Sequence, residues 1–369
     1  MLPTVLLVFA PLGLAGGLAQ GPVWAADVPP EPPRAAEPPE LPNAAELQAC
    51  ARLRVDADRL ACYDAALRRP PPQDEPPLVE RAWGAGFIGA RDVSADLASS
   101  RYLASYWELD RSRKQGTFNF IGYRPNFFLP LMLQRRVNRT PTSPNPQNQG
   151  ALLPDYKRVE TKVQLSIRTK LAQGVLLRDA DLWFAYTQQS MWQLWSPSIS
   201  APFRSTDHEP ELIYVVPTPA DLPLGWKLRL SGLGFAHQSN GQALPLSRSW
   251  NRLYAMAGFE RDEYSLMARL NQRLSEDDET DDNPDLTRYR GRLDLLAAWT
   301  PGLATATLLW RTNLDRRGSV QLDWTFPVDS QRPGGLRYYV QAFHGHAQTL
   351  LDYNIRQTAI GAGVTLFGW

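Results

Sequence analysis

Two neighbouring stretches carry side chains suited to acyl-transfer chemistry. Gly234-Phe-Ala-His-Gln-Ser-Asn-Gly241 places His237 and Ser239 two residues apart, and Ser247-Arg-Ser-Trp-Asn-Arg252 brings Asn251 onto what reads as the next strand. Strand side chains alternate faces, so residues i and i+2 emerge on one side. An imidazole that can deprotonate a hydroxyl, with an amide to orient the imidazole, makes up the working parts of a serine hydrolase. A His-x-Ser pair on a strand is more often two ordinary surface residues, so the surrounding elements have to decide.

Those elements are strands. Val159, Thr161, Val163, Leu165 and Ile167 alternate with Glu160, Lys162, Gln164 and Ser166. Tyr289, Gly291, Leu293, Leu295 and Ala297 alternate with Arg290, Arg292 and Asp294, and Val320, Leu322, Trp324 and Phe326 alternate with Gln321, Asp323 and Thr325. Each pattern predicts a strand with one apolar and one polar face. A soluble sandwich would alternate too. Three features favour a transmembrane barrel: segments long enough to cross a bilayer at a tilt, aromatics near their ends, and charged inner faces. Twelve segments are expected, near 117–133, 157–170, 180–192, 209–217, 225–239, 250–260, 262–274, 287–300, 303–313, 317–328, 335–346 and 355–368. An even number of antiparallel strands closes without leaving an edge. The paired opposite charges inside predict a filled lumen and argue against a porin. The last strand's apolar face, Ile360, Ala362, Val364 and Leu366, leaves the terminal Trp369 out of phase.

The 39 basic and 38 acidic residues leave a net charge of +1, which provides no field for nucleic acid. A mean hydropathy of −0.35 excludes a helical membrane protein. Val5 to Ala19 fits the apolar core of a signal peptide within residues 1–25, and Val23-Trp24-Ala25 offers a cleavage site. Residues 26–43, rich in Pro and Ala, read as a disordered linker, and 70–104 as a second linker that opens on a Pro-rich stretch. Between them, 44–69 is expected to form a helical hairpin. Its Cys50 and Cys62, the chain's two cysteines, are too few for a metal site and too far apart for a redox motif, and in an exported protein they read as a disulfide. The barrel is expected over 105–369.

Register places the candidate pair. Leu233 and Phe235 are in phase with His237 and Ser239, whereas Trp226, Leu228 and Leu230 have the opposite parity. A bulge at Ser231-Gly232 would restore the phase and turn the pair toward lipid near a strand end.

Several motifs resemble outer-membrane phospholipase A: Thr187-Gln-Gln-Ser-Met-Trp-Gln-Leu194, Ser200-Ala-Pro-Phe-Arg204, Glu209-Pro-Glu-Leu212, His237-Gln-Ser-Asn-Gly241, Ser247-Arg-Ser-Trp-Asn-Arg252, Asp281-Asp-Asn-Pro-Asp285 and Asp352-Tyr-Asn354. They run in one order over roughly residues 105–369. The resemblance implies a bacterial outer-membrane enzyme hydrolysing phospholipid acyl esters, with its N-terminal segment in the periplasm. Carried over by position, Ser239 is the nucleophile, His237 the general base, Asn251 the orienting residue and the Gly241 N–H an oxyanion donor. It further implies a calcium ion on the Ser247 hydroxyl, the Gln242 carbonyl and the Ser200 carbonyl of the partner subunit, with Asp282 at a weaker site. A homodimer follows, with Gln188 at the subunit contact.

Two positions depart from the family pattern. Gln242 stands where an arginine is expected and Leu244 where an acidic residue is expected. They support the competing reading, a passive or structural barrel of the same ancestry. His344-Gly-His346 has metal-like spacing but no nearby carboxylate or cysteine, and reads as a pair at the barrel rim.

Overall fold

The computed structural model describes residues 44–53, 58–59, 62–63, 65, 102–149 and 152–367. The expected signal peptide, most of the two linkers and Trp369 lie outside the described residues. The chain divides into two units, Met1–Glu75 and Pro76–Trp369. In the first, a helix spans Ala44–Ala51 and a disulfide joins Cys50 to Cys62.

The second unit is a closed antiparallel barrel. Its strands, among the described residues, are β1 (Phe120–Gly122), β2 (Asn126–Gln134), β3 (Val159–Gln173), β4 (Asp181–Trp192), β5 (Phe203–Asp221), β6 (Lys227–Ser239), β7 (Ser249–Arg261), β8 (Tyr264–Arg273), β9 (Leu293–Trp299), β10 (Thr305–Thr312), β11 (Ser319–Pro327), β12 (Arg337–Gly345) and β13 (Gln357–Phe367). Each of β2 to β13 pairs with its sequence neighbours, and β13 pairs back to β2, so twelve strands close the ring. The short β1 adds only to β3.

Two expected segments differ in detail. The first, 117–133, is broken at Tyr123-Arg124-Pro125. Arg124 turns inward there to reach Glu209 at 2.9 Å and Glu211 at 2.6 Å, and Pro125 has no N–H for a ladder. The segment 287–300 begins as a helical turn, Leu286–Arg290, before β9. Gly291 separates the two at φ +92, where a Cβ would lie 2.5 Å from the Thr312 backbone. Arg290 then folds back onto Asp294 through contacts of 3.0 and 2.9 Å.

The lumen is filled, as the charged inner faces predict. Glu209 and Glu211 are ringed by Arg124, Arg252, Arg269 and the Tyr254 hydroxyl. Arg204 bridges Glu160 and Asp352, each at 2.6 Å. Buried charges persist only when paired and hydrogen-bonded, and these are. A helical segment at Tyr102–Tyr106 enters the same space. Leu103, Trp107 and Leu109 pack with Trp183, Ile213, Val215, Leu230 and Met256. Arg168 lies over the rings of Tyr106, Trp107 and Trp183, and Lys170 pairs with Glu108 at 2.8 Å.

This packing corrects the expected bulge. Leu230, Gly232 and Ala236 are all buried and in one unbroken inward phase, so no break occurs at Ser231-Gly232. The register shift falls between Leu228 and Leu230 instead. Leu230 faces the lumen because Leu103 provides an apolar neighbour there. The expected consequence survives: Leu233 (63% exposed) and Phe235 (40%) point outward, in phase with His237 and Ser239.

Below the pair, Gly234 makes room for Tyr254. A Cβ there would lie 2.2 Å from the ring, and that ring is held by its hydroxyl's 2.9 Å bond to Glu211. Gly234→Ala is therefore expected to destabilise the barrel by about 1–3 kcal/mol, read as a lowered denaturant midpoint in micelles.

The loops have a polarity. Those at 135–158, 193–202, 240–248, 274–292, 313–318 and 346–356 share one end, and the connections at 174–180, 222–226, 262–263, 300–304 and 328–336 share the other. Longer loops and short turns segregate in this way in outer-membrane barrels. Aromatics mark strand ends, including exposed Tyr264 stacked on Trp299 and half-buried Trp192 on exposed Phe203.

Candidate active site

β6 and β7 form a hairpin whose register sets His237 opposite Asn251 and Ser239 opposite Ser249. His237 Nδ1 is 2.9 Å from Asn251 Oδ1, and Asn251 Nδ2 donates to Glu276 Oε1 at 3.2 Å. A carboxylate oxygen accepts, which fixes the amide with Nδ2 toward Glu276 and Oδ1 toward His237. Nδ1 then carries the imidazole proton, leaving Nε2 free to accept one. Burial pushes the Glu276 carboxyl above the ordinary glutamate range, with Arg273 opposing. Ser239 shares the outward face with His237, although among the described residues its Oγ makes no hydrogen bond to the ring. Such contacts commonly tighten only once substrate is bound.

The loop after β6 is built around the buried Asn240. Its Oδ1 accepts from the Arg248 and Gln242 amides at 2.9 and 3.3 Å, and its Nδ2 donates to the Leu246 carbonyl at 2.7 Å. Gly241 sits at φ +62, a conformation that glycine adopts without strain. Fully buried Arg248 braces the loop by donating to the Pro245 and Ser247 carbonyls.

Ser247 Oγ donates to Asp282 Oδ2 at 2.6 Å, while Asn148 Nδ2 bonds both Asp282 Oδ1 and the Ser247 carbonyl at 3.0 Å. Gln242 Oε1 is buried with no hydrogen-bond partner among the described residues. This cluster offers hydroxyl, carboxylate and carbonyl oxygens, the donor set that calcium prefers. Leu244 is exposed and adds no oxygen. Ser200 caps the turn Pro197–Ile199 at φ 60, and among the described residues it makes no hydrogen bond to Ser247, Gln242 or Asp282.

Gln188 lies on the outer face of β4, its side chain between the Tyr186 and Ser190 hydroxyls. Register aligns it in one row with Leu165, His208, Ser239 and Ser249 across five strands. His344 and His346 diverge, the first toward Thr358 and the second toward the Gly318 carbonyl.

The sequence reading passed over Glu276, Asn148 and Asn240. Glu276 lies in an acidic run just past the end of β8, and Asn148 sits in a loop 99 residues from its partner Ser247. Asn240, in a Ser-Asn-Gly turn, carried the one usable signal.

Fold and site together define a closed antiparallel barrel of the membrane-spanning kind that carries His237, Ser239 and Asn251 on the outward face of one hairpin. The profile of the phospholipase A1 family matches residues 103–366, and the chain belongs to that family. It is a phospholipase of the Gram-negative outer membrane. A relative from Neisseria meningitidis serogroup B is 35% identical over 295 residues, 78% of this chain and 75% of its own. Phospholipase A1 of Escherichia coli K12 is 35% identical over 211 residues, 57% of this chain and 70% of its own. The structure of outer membrane phospholipase A from Escherichia coli superposes with a TM-score of 0.60 at 30% identity, covering 69% of this chain and 93% of that one. A Salmonella typhi outer membrane phospholipase, described as a dimer with bound calcium, superposes equally well, at 0.60 and 30%, over 69% and 94%.

Proposed function

We propose that this chain hydrolyses acyl esters of phospholipids and lysophospholipids through Ser239, His237 and Asn251, as a calcium-dependent homodimer. The observation that carries the reading is the position of His237 and Ser239 on the outward face of β6, beside exposed Leu233 and Phe235, at the long-loop end. A membrane ester can reach that face without leaving the bilayer.

His237 Nε2 takes the Ser239 proton as Oγ attacks the acyl carbonyl. The Gly241 N–H donates to the oxygen on which charge develops. The imidazolium returns the proton to the departing lysophospholipid oxygen, and water, deprotonated by His237, releases the fatty acid from Ser239. Asn251 holds the tautomer without adding a charge. The fit of Ser247 and Asp282 supports a calcium site made from the Ser247 hydroxyl, the Gln242 carbonyl and Ser200 of the partner subunit, with Asp282 at a weaker position. Bound there, calcium would supply positive charge near the developing oxyanion. Gln188 on the outer face of β4 supports a subunit contact there, because an amide facing lipid gains from a partner.

The test is fatty-acid release from phospholipid micelles by purified protein, with and without chelator. Calcium-dependent release is expected. No release at saturating calcium overturns the reading in favour of the passive barrel that Gln242 and Leu244 support. Asn251→Ala is expected to lower kcat by about 10- to 100-fold, the worth of one hydrogen bond to a charged group, with KM little changed.

A further inference from the structure

His208 is a histidine that neither the triad nor the calcium cluster uses. It sits on the outer face of β5 as the register partner of Ser239 on one side and Gln188 on the other. Its Nδ1 is 2.7 Å from the Tyr186 hydroxyl, and the two rings stack with centroids 6.2 Å apart. The opposite edge faces the loop after β6: a Cβ on Gly241 would lie 3.7 Å from both Cδ2 and Nε2 of His208. One imidazole edge is thus anchored, and the other borders the glycine whose amide serves the oxyanion, two residues past the register partner Ser239.

We propose that His208 is a catalytic residue whose Nε2–H is a second donor to the oxyanion formed at Ser239, beside the Gly241 amide. This rests on the hydrolase reading above. The Tyr186 phenol has a single hydrogen, and given to the nearer Nδ1 at 2.7 Å rather than to Gln188 Oε1 at 3.3 Å it makes Nε2 the protonated nitrogen, so Tyr186 sets the tautomer that allows donation. The chain has Gln242 where the family pattern has arginine, so a donor from a neighbouring strand answers a need that the loop leaves open. Two donors converging on one oxygen are the usual requirement of acyl transfer.

The experiment compares His208→Phe, which keeps a ring and loses the donor, with His208→Gln, whose amide NH₂ reaches a similar position. Both are assayed as cross-linked dimers at saturating calcium on phospholipid micelles. His208→Phe is expected to lose about 10- to 100-fold in kcat with KM within threefold, and to slow labelling of Ser239 by a long-chain alkyl sulfonyl fluoride in parallel. His208→Gln should recover most of the loss. Tyr186→Phe should fall between wild type and His208→Phe.

The proposal is overturned if His208→Phe keeps kcat within twofold of wild type. It is equally overturned if the Phe and Gln variants lose activity alike, or if rising protein concentration restores the Phe variant without cross-linking, which would make His208 a subunit contact. A Ser239→Ala variant as active as wild type would instead overturn the hydrolase reading itself, which separates the two failures.

Discussion

Ser239→Ala is expected to abolish acyl release, lowering kcat by about 10⁴- to 10⁶-fold, while the protein still folds as a barrel. Removing the nucleophile of a serine hydrolase has effects of this size because base and orienting group act only through it. The side chain is half-buried on the outer face and its Oγ makes no hydrogen bond among the described residues, so stability should be little affected. The measurement is fatty-acid release beside the heat-dependent gel shift of a folded barrel. The hydroxyl directly opposite Ser239 across the hairpin is that of Ser249. Ser249→Ala is expected to stay within a fewfold of wild type. The reverse result would move the nucleophile across the hairpin.

Calcium removal should give the second large effect. Chelation is expected to cost about 10²- to 10³-fold in kcat, comparable with loss of an oxyanion donor, and to be reversed by added calcium. In this structure Asp282 is held by Ser247 at 2.6 Å and Asn148 at 3.0 Å, so two of the oxygens that would hold the ion already lie side by side. Ser247→Ala removes one of those oxygens and should raise the calcium concentration for half-maximal activity by roughly 10- to 100-fold. Asp282→Ala should give a smaller rise in the same direction. A calcium titration of activity for each variant checks both. Unchanged titrations would dissociate these residues from the ion.

Much of the barrel could be read from alternation, because an inside–outside wall imposes a two-residue period. Reading failed where another element supplied the apolar partner. Leu230 looked like an outer residue shifted by a bulge because nothing in β6 reveals that Leu103 lies inside the lumen, and β5 was expected at 209–217 but extends over Phe203–Asp221 through Pro210 and Pro217. Within the site, His237, Ser239 and Asn251 were legible because their contact is local, set by i,i+2 spacing and one hairpin register. Glu276 was not, because it sits past the end of β8, beyond the regular register that pairs β8 with β7, and Asn148 was not, because its contacts come from a loop that only closure of the ring brings to Ser247 and Asp282. His208 was missed because Asp207-His-Glu209 gives no sign that its imidazole would lie opposite a serine 31 positions further on.

The difference in contact separation also bears on the order of assembly. His237 and Asn251 are 14 residues apart and meet across a single turn, whereas Asn148 lies 99 residues from Ser247 and 134 from Asp282. Loop-closure entropy favours the near contact. The imidazole and the amide that holds it are therefore in place as soon as one hairpin zips, but Asn148 reaches Ser247 and Asp282 only when β2 and its following loop have come round to meet the β8–β9 loop. A chain caught before ring closure would hold its imidazole correctly and still lack the Asn148 clamp on Ser247 and Asp282, so that clamp is the last part of the site to assemble.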